Sequence, residues 1–88
     1  MSAVNEWLAL LRVHEGGMTT SEGRFFNQGR PVDDYLAAAL AELIRTEYLA
    51  LGAVVSDGQQ QVCVTHAGQL RYMELDSNEL EGGSHGSR

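Results

Sequence analysis

Residues 31–48 constrain the fold most, because they carry the clearest helical pattern in the chain. The apolar residues that repeat at helical spacing are Val32, Leu36, Ala39, Leu40 and Leu43, with Tyr35 as a further candidate. Pro31 suits the first helical position, and Asp33 and Asp34 suit the positive end of the helix dipole. The pattern predicts one long helix. Its run of three alanines, residues 37–39, gives a thin profile that a second helix or a partner can approach closely.

A second helix is predicted over residues 2–15. Val4, Trp7, Leu8 and Leu11 would line one of its faces. Ser2 is a suitable N-cap, because its hydroxyl can accept a hydrogen bond from an early backbone N–H. The Gly16-Gly17 pair should end the helix.

Residues 18–30 give a weaker pattern, from which we predict a short helix. Thr19, Thr20 and Ser21 offer capping oxygens, and Phe25 and Phe26 would then face inward. Gly23 would weaken such a helix by about 1 kcal/mol relative to alanine. The Asn27-Gln28-Gly29 sequence indicates a turn.

Residues 53–65 predict a β-hairpin. Its strands would be residues 53–55 and 62–64, joined through Asp57-Gly58, since both central residues of a type I′ turn need a positive φ. The three glutamines at 59–61 would form an exposed strand start.

A last helix is predicted from His66 to about Asp76, with Thr65 as its N-cap and with Ala67, Leu70 and Met73 facing inward. Residues 77–88 have a single apolar side chain, Leu80. They cannot bury enough surface to offset their ordering entropy, so we expect a disordered tail.

The composition limits the functional classes. The 88 residues allow one domain, and 12 acids against 6 arginines, with no lysine, give a net charge of −6. We find no signal peptide or membrane segment and expect a cytoplasmic protein. Cys63 is the only cysteine and no histidines pair at metal-ligand spacing, so we expect no metal, no cofactor and no enzymatic activity.

The predicted order of helix, short helix, long helix, hairpin and helix resembles a winged helix-turn-helix domain over residues 3–76. Three motifs carry the resemblance: the Leu-x-x-Leu run with its apolar exit in residues 40–49, Val64-Thr65-His66-Ala67-Gly68 before the closing helix, and the Phe25-Phe26 pair. The resemblance implies an α+β, mostly helical fold with three helices, a hairpin wing and a C-terminal helix. Glu47 departs from the pattern, because the usual residue at the exit of the long helix is glycine.

The resemblance also implies that the long helix enters the major groove of DNA while the wing touches the phosphates. Arg24, Arg30 and Arg45 are the candidate contacts, and we favour a DNA-binding transcriptional regulator if they gather on one face. Asp33 and Asp34 disfavour DNA binding, because their negative carboxylates lie at the end of the long helix that would meet the bases. Arg45 can instead pair with Glu42, three residues earlier.

The alternative is an acidic winged-helix protein-interaction module that does not bind DNA, or an inhibitor whose carboxylates imitate phosphate. Its surface would be built from Asp33, Asp34, Ala37, Ala38, Ala41 and Glu42. Residues 1–76 alone carry ten acids and five arginines, so the acidity belongs to the domain and not to the tail.

A homodimer is expected for the DNA-binding interpretation. Trp7 either anchors the core or joins Leu10, Tyr72 and Leu75 in a dimer seam between the first and last helices. Leu10 suggests the seam, because it lies off the apolar stripe predicted for the first helix.

Overall fold

The computed structural model describes residues 2–56 and 58–84. This part of the chain is a small α+β unit with three helices and a five-stranded antiparallel sheet. The elements in chain order are α1 (Ala3–Glu15), β1 (Met18–Ser21), β2 (Arg24–Asn27), β3 (Arg30–Pro31), α2 (Asp34–Arg45), β4 (Leu49–Ser56), β5 (Gln59–Val64) and α3 (His66–Ser84).

Helix α1 is confirmed, with the Ser2 hydroxyl accepting a hydrogen bond from the backbone N–H of Asn5 at 3.2 Å. The predicted inward face is wrong. The buried residues are Glu6, Ala9, Leu10 and Val13, whereas Val4 is exposed. The helix is rotated because it contacts α2, α3 and β5 together, and Leu10 lies where these elements meet.

The short helix predicted over residues 18–30 is wrong, because this segment forms β1, β2 and β3. Two tight turns join the strands, Glu22-Gly23 and Gln28-Gly29, and all four of these residues have a positive φ. That combination is the type I′ hairpin geometry, whose twist matches that of the flanking strands. The turn predicted around Gln28-Gly29 is therefore confirmed, but it joins strands.

Helix α2 is confirmed with a later start. Pro31 lies in β3, and the N-cap is Asp33, whose carboxylate accepts a hydrogen bond from Leu36 N–H at 2.8 Å. The predicted inward face is correct, with Ala39, Leu40 and Leu43 buried and with Val32 and Leu36 packed against the core.

Helix α2 ends in a paired hydrogen-bond motif. The N–H of Tyr48 donates to the carbonyl of Leu43 at 2.9 Å, and that of Glu47 donates to Ile44 at 3.1 Å. This is the Schellman arrangement, which places Glu47 at a position that requires a positive φ. Glu47 has a φ of 69° there.

The predicted hairpin is confirmed and is longer than expected, with β4 and β5 as its strands. The turn residue Asp57 lies outside the described residues. The sheet order is β3-β2-β1-β5-β4, so β3 and β4 are its two edges. The register places Met18, Phe25, Leu49 and Val62 on one face of the sheet, where the helices pack on them to form the core. Cys63 lies on the opposite face.

Helix α3 begins as predicted, with the Thr65 hydroxyl accepting a hydrogen bond from Gly68 N–H at 3.0 Å. Its predicted inward face is wrong, because Ala67, Leu70 and Met73 are exposed and Leu75 is buried. The rotation follows from Gly68, which lies so close to Tyr48 that an added Cβ would stand 1.9 Å from the Tyr48 carbonyl oxygen.

The helix also continues beyond Asp76 to Ser84, where the sequence predicts a disordered tail, and residues 85–88 lie outside the described part. Within the described residues, no helix combines the length and the apolar run needed to cross a membrane.

Candidate functional site

The outward side of α2 is the most distinctive surface of the described residues. Tyr35 is 81% exposed, which is the highest exposure among the large apolar side chains of this part of the chain. Ala38 and Ala41 are also exposed, and Ala38 lies beside Tyr35 on the same side of the helix. Because alanine side chains are short, they leave the backbone of α2 open to close approach beside a large aromatic ring.

A groove of about 580 Å³ runs between α1 and α2. Its lining residues are Asn5, Glu6, Tyr35, Ala38, Ala39, Glu42, Leu43, Thr46 and Tyr48. Tyr35 and Tyr48 give the groove two aromatic side chains, Ala38 and Ala39 form a thin wall, and Glu42 adds a carboxylate. This mixture of apolar wall and few polar groups suits recognition of a side chain or a short segment of a partner.

Charge along α2 is mostly negative at its N-terminal end. Asp33 is occupied as the N-cap, while Asp34 makes no ion pair or side-chain hydrogen bond in the described part of the chain. At the end of the helix, Arg45 Nε donates to Glu42, one turn earlier, at 3.1 Å. The hydrogen bond from Arg45 lowers the pKa of Glu42, and the same bond raises the pKa of Arg45.

The wall of the groove on α1 is fixed by an ion pair. Arg71 of α3 donates through Nε and Nη2 to the two carboxylate oxygens of Glu6, each at 2.9 Å, and also pairs with Glu74. The two-pronged hydrogen bonding to Glu6 raises the pKa of Arg71 above its usual value. Because Glu6 is buried and Arg71 is half-buried, this pair holds α1 and α3 in one arrangement.

The three candidate DNA contacts do not lie together. Arg24 begins β2, whereas Arg30 lies in β3 and pairs with Asn27 at the other end of β2, so strand geometry separates the two by about 10 Å. Both side chains are exposed, and neither forms an ion pair among the described residues. Arg45 lies apart from both, at the end of α2, where it pairs with Glu42 of the same helix. Arg12 lines the same polar cleft as Arg30 and pairs with Glu15 at 3.1 Å.

Two of the four residues of the predicted dimer seam are not available to a second copy, and the other two are half-buried in contacts within one chain. Leu10 and Leu75 are buried in the core. Trp7 donates its indole N–H to Asp76 at 3.3 Å, and Tyr72 stacks on His14 with ring centroids 5.6 Å apart. The Trp7–Asp76 and Tyr72–His14 contacts both join α1 to α3.

The residues of the predicted partner surface are exposed or half-buried, with one of them packed against the core. Asp33, Asp34, Ala38 and Ala41 are exposed and Glu42 is half-buried, but Ala37 packs against the core. Its position follows from the α-helical period, which carries residue 37 toward Leu40 and away from Ala38.

No family model, curated protein or solved structure matches this chain. The function is therefore inferred from the chemistry of its surface and from the resemblance described above.

Tyr35 is the residue that the sequence pattern did not assign to the surface. Its neighbours Leu36 and Ala39 define the inward face, and Tyr35 stands at the margin of that face in a helical projection. A large aromatic residue at such a margin is ambiguous from spacing alone. The packing decides it, because α1 covers Ala39 and Leu43 but leaves Tyr35 outside.

Proposed function

We propose that this chain is a non-catalytic regulatory module of the winged-helix type that binds a partner protein through the outward face of α2. The observation that carries the proposal is the exposed Tyr35 beside Ala38 at the mouth of the α1–α2 groove. Exposed tyrosines surrounded by small residues are typical of the few positions that dominate the energy of protein interfaces.

The partner is expected to carry a basic residue next to an apolar one. Asp34 lies one turn before Ala38, and it has no cation of its own among the described residues. A lysine or arginine of the partner would neutralise Asp34 while its apolar neighbour enters the groove beside Tyr35. The overall charge of −6 would also steer a basic partner toward the chain.

The relation to winged-helix domains is part of the proposal. The first helix, the long helix, the hairpin and the closing helix follow one another in the order that the resemblance implies. Strands stand where the short second helix is expected, and a helix-turn-helix needs that helix to cross the DNA backbone. The presence of strands in place of this helix favours a protein partner over DNA.

The test is a selection of random peptides displayed on phage against the full chain. Selected peptides should combine Lys or Arg with an apolar residue, and Tyr35→Ala should weaken their binding by about 30-fold, as for an interface residue worth 2 kcal/mol. Asp34→Asn should weaken binding less and should remove most of its salt dependence.

The matched control is Leu70→Ala, which truncates another exposed apolar side chain on a different helix. Peptides whose binding is unchanged in Tyr35→Ala, or lost in Leu70→Ala, would contradict the assignment of the α2 face.

A DNA-binding regulator is the second candidate, and Arg24 and Arg30 favour it because both are exposed without an ion pair in the described part of the chain. Titration of a fluorescent mixed-sequence duplex at several salt concentrations tests it. Two phosphate contacts would give a slope of log K against log salt of about −1.8. On the protein-binding proposal, no binding is expected even at low salt, and Arg24→Ala and Arg30→Ala should change nothing.

A further inference from the structure

The two edges of the sheet differ in how well they can accept another strand. The edge strand β3 has only Arg30 and Pro31, so it is short, charged and lacks one backbone N–H. Short strands, charges and prolines are the usual protection of sheet edges against pairing with other chains. The β3 edge is therefore closed to further strands.

The opposite edge, strand β4, can accept another strand. Strand β4 reads Leu-Ala-Leu-Gly-Ala-Val-Val-Ser, with no charge and no proline over eight residues. Val54 is 66% exposed and Val55 is 54% exposed, although they lie in a strand rich in β-branched residues. β4 pairs with β5 on one side only, and within the described residues no strand lies on its other side.

We propose that β4 pairs antiparallel with β4 of a second copy of this chain, joining the two sheets across a twofold axis. A second copy fits because identical strands that run antiparallel are self-complementary, and the contact closes after two chains. Addition of a third chain would have to use the β3 edge, where Arg30 and Pro31 oppose it. The assembly therefore stops at a dimer.

Charge favours this contact over any other approach of two copies. Each chain carries a net charge of −6, so most faces of two copies repel one another. The β4 edge is a stretch without carboxylates, and its exposed valines would be covered in the dimer. The proposal does not depend on the α2 face, since its test needs no partner protein.

The register of β4 limits the strength of the pairing. Its pairing with β5 is regular from Leu49 to Leu51 and then shifts twice, between Leu51 and Val54 and between Val54 and Ser56. Such β-bulges increase the local twist and shorten a continuous ladder. The dimer should therefore be reversible, with a dissociation constant in the micromolar range or higher.

Sedimentation velocity of the full chain from micromolar to near-millimolar concentration tests the proposal. The expected result is a monomer–dimer equilibrium whose dissociation constant rises at least about tenfold in Val54→Lys, because a charged side chain on an edge strand disfavours pairing with another strand. Leu70→Lys is the matched control: it adds the same charge at a similarly exposed apolar residue on α3 and should leave the equilibrium unchanged.

Amide hydrogen exchange at low and high protein concentration provides the second readout. Backbone amides of β4 should exchange more slowly as the dimer forms, and those of β3 should not change. A chain that stays monomeric throughout, a dimer that survives Val54→Lys, or a dimer lost in Leu70→Lys alone would overturn the proposal. Circular dichroism of both variants checks that each is folded.

Discussion

Glu47 occupies a backbone position that glycine would fill better. It has a φ of 69° at the end of α2, and the Schellman hydrogen bonds around it fix that conformation. The left-handed conformation costs an L-residue about 1–2 kcal/mol, whereas a new glycine adds about 0.5–1 kcal/mol of unfolded-state entropy. The conformational cost is larger, so Glu47→Gly should stabilise the chain.

We expect Glu47→Gly to raise the free energy of unfolding by about 0.5–1 kcal/mol, measured by urea denaturation. Ala41→Gly is the control, since it places glycine at an exposed position inside α2 and should destabilise by about 1 kcal/mol. Equal effects of the two substitutions would contradict the role assigned to the φ of Glu47.

Gly68 shows the opposite case, a glycine that cannot be replaced. Its position lets α3 pass directly over the backbone of Tyr48, and an added Cβ would stand 1.9 Å from the carbonyl oxygen. Gly68→Ala should therefore destabilise by about 3 kcal/mol or more in urea denaturation, because a backbone atom has to move. The neighbouring substitution Gln69→Ala, at an exposed position of the same helix, should have little effect. A small effect of Gly68→Ala would contradict the close approach.

The two turns that join β1, β2 and β3 each begin with a residue type that is unfavourable at a positive φ. Glu22 and Gln28 adopt φ values of 52° and 53°, where asparagine is tolerated much better. Glu22→Asn with Gln28→Asn should raise the free energy of unfolding by about 1 kcal/mol in total. The β-branched substitution Glu22→Val should lower it, since such residues avoid a positive φ. Urea denaturation measures both changes, and a gain from Glu22→Val would contradict the turn assignment.

At the scale of the whole molecule, α3 closes the core through its first half. Leu75 is buried, and Asp76 accepts the hydrogen bond from Trp7. A chain of residues 1–76 should therefore melt close to the full-length chain. A chain of residues 1–72 loses both contacts, worth about 3 kcal/mol, and its Tm should fall by at least about 10 °C. Thermal denaturation followed by circular dichroism compares the two truncated chains. An equal fall in the Tm of both would show that the domain extends beyond residue 76.

The sequence by itself determined the elements whose signals are local. The caps at Ser2 and Thr65, the body of α2 and the strands on either side of residues 57–58 follow from hydrogen bonds and periodicity within a few residues. For the same reason the outward position of Ala38 and Ala41 was predictable, and with it much of the candidate surface.

The tertiary structure alone decided the features that depend on distant partners. Residues 18–31 carry helix-capping residues, but β1 gains its hydrogen bonds from β5, some forty positions later in the chain, and the segment becomes a sheet. The inward faces of α1 and α3 were also decided at this level, because the Glu6–Arg71 pair and the contact of Gly68 with Tyr48 fix how each helix is rotated. Periodicity shows that a helix has an apolar side, whereas the neighbouring elements determine which residues are buried.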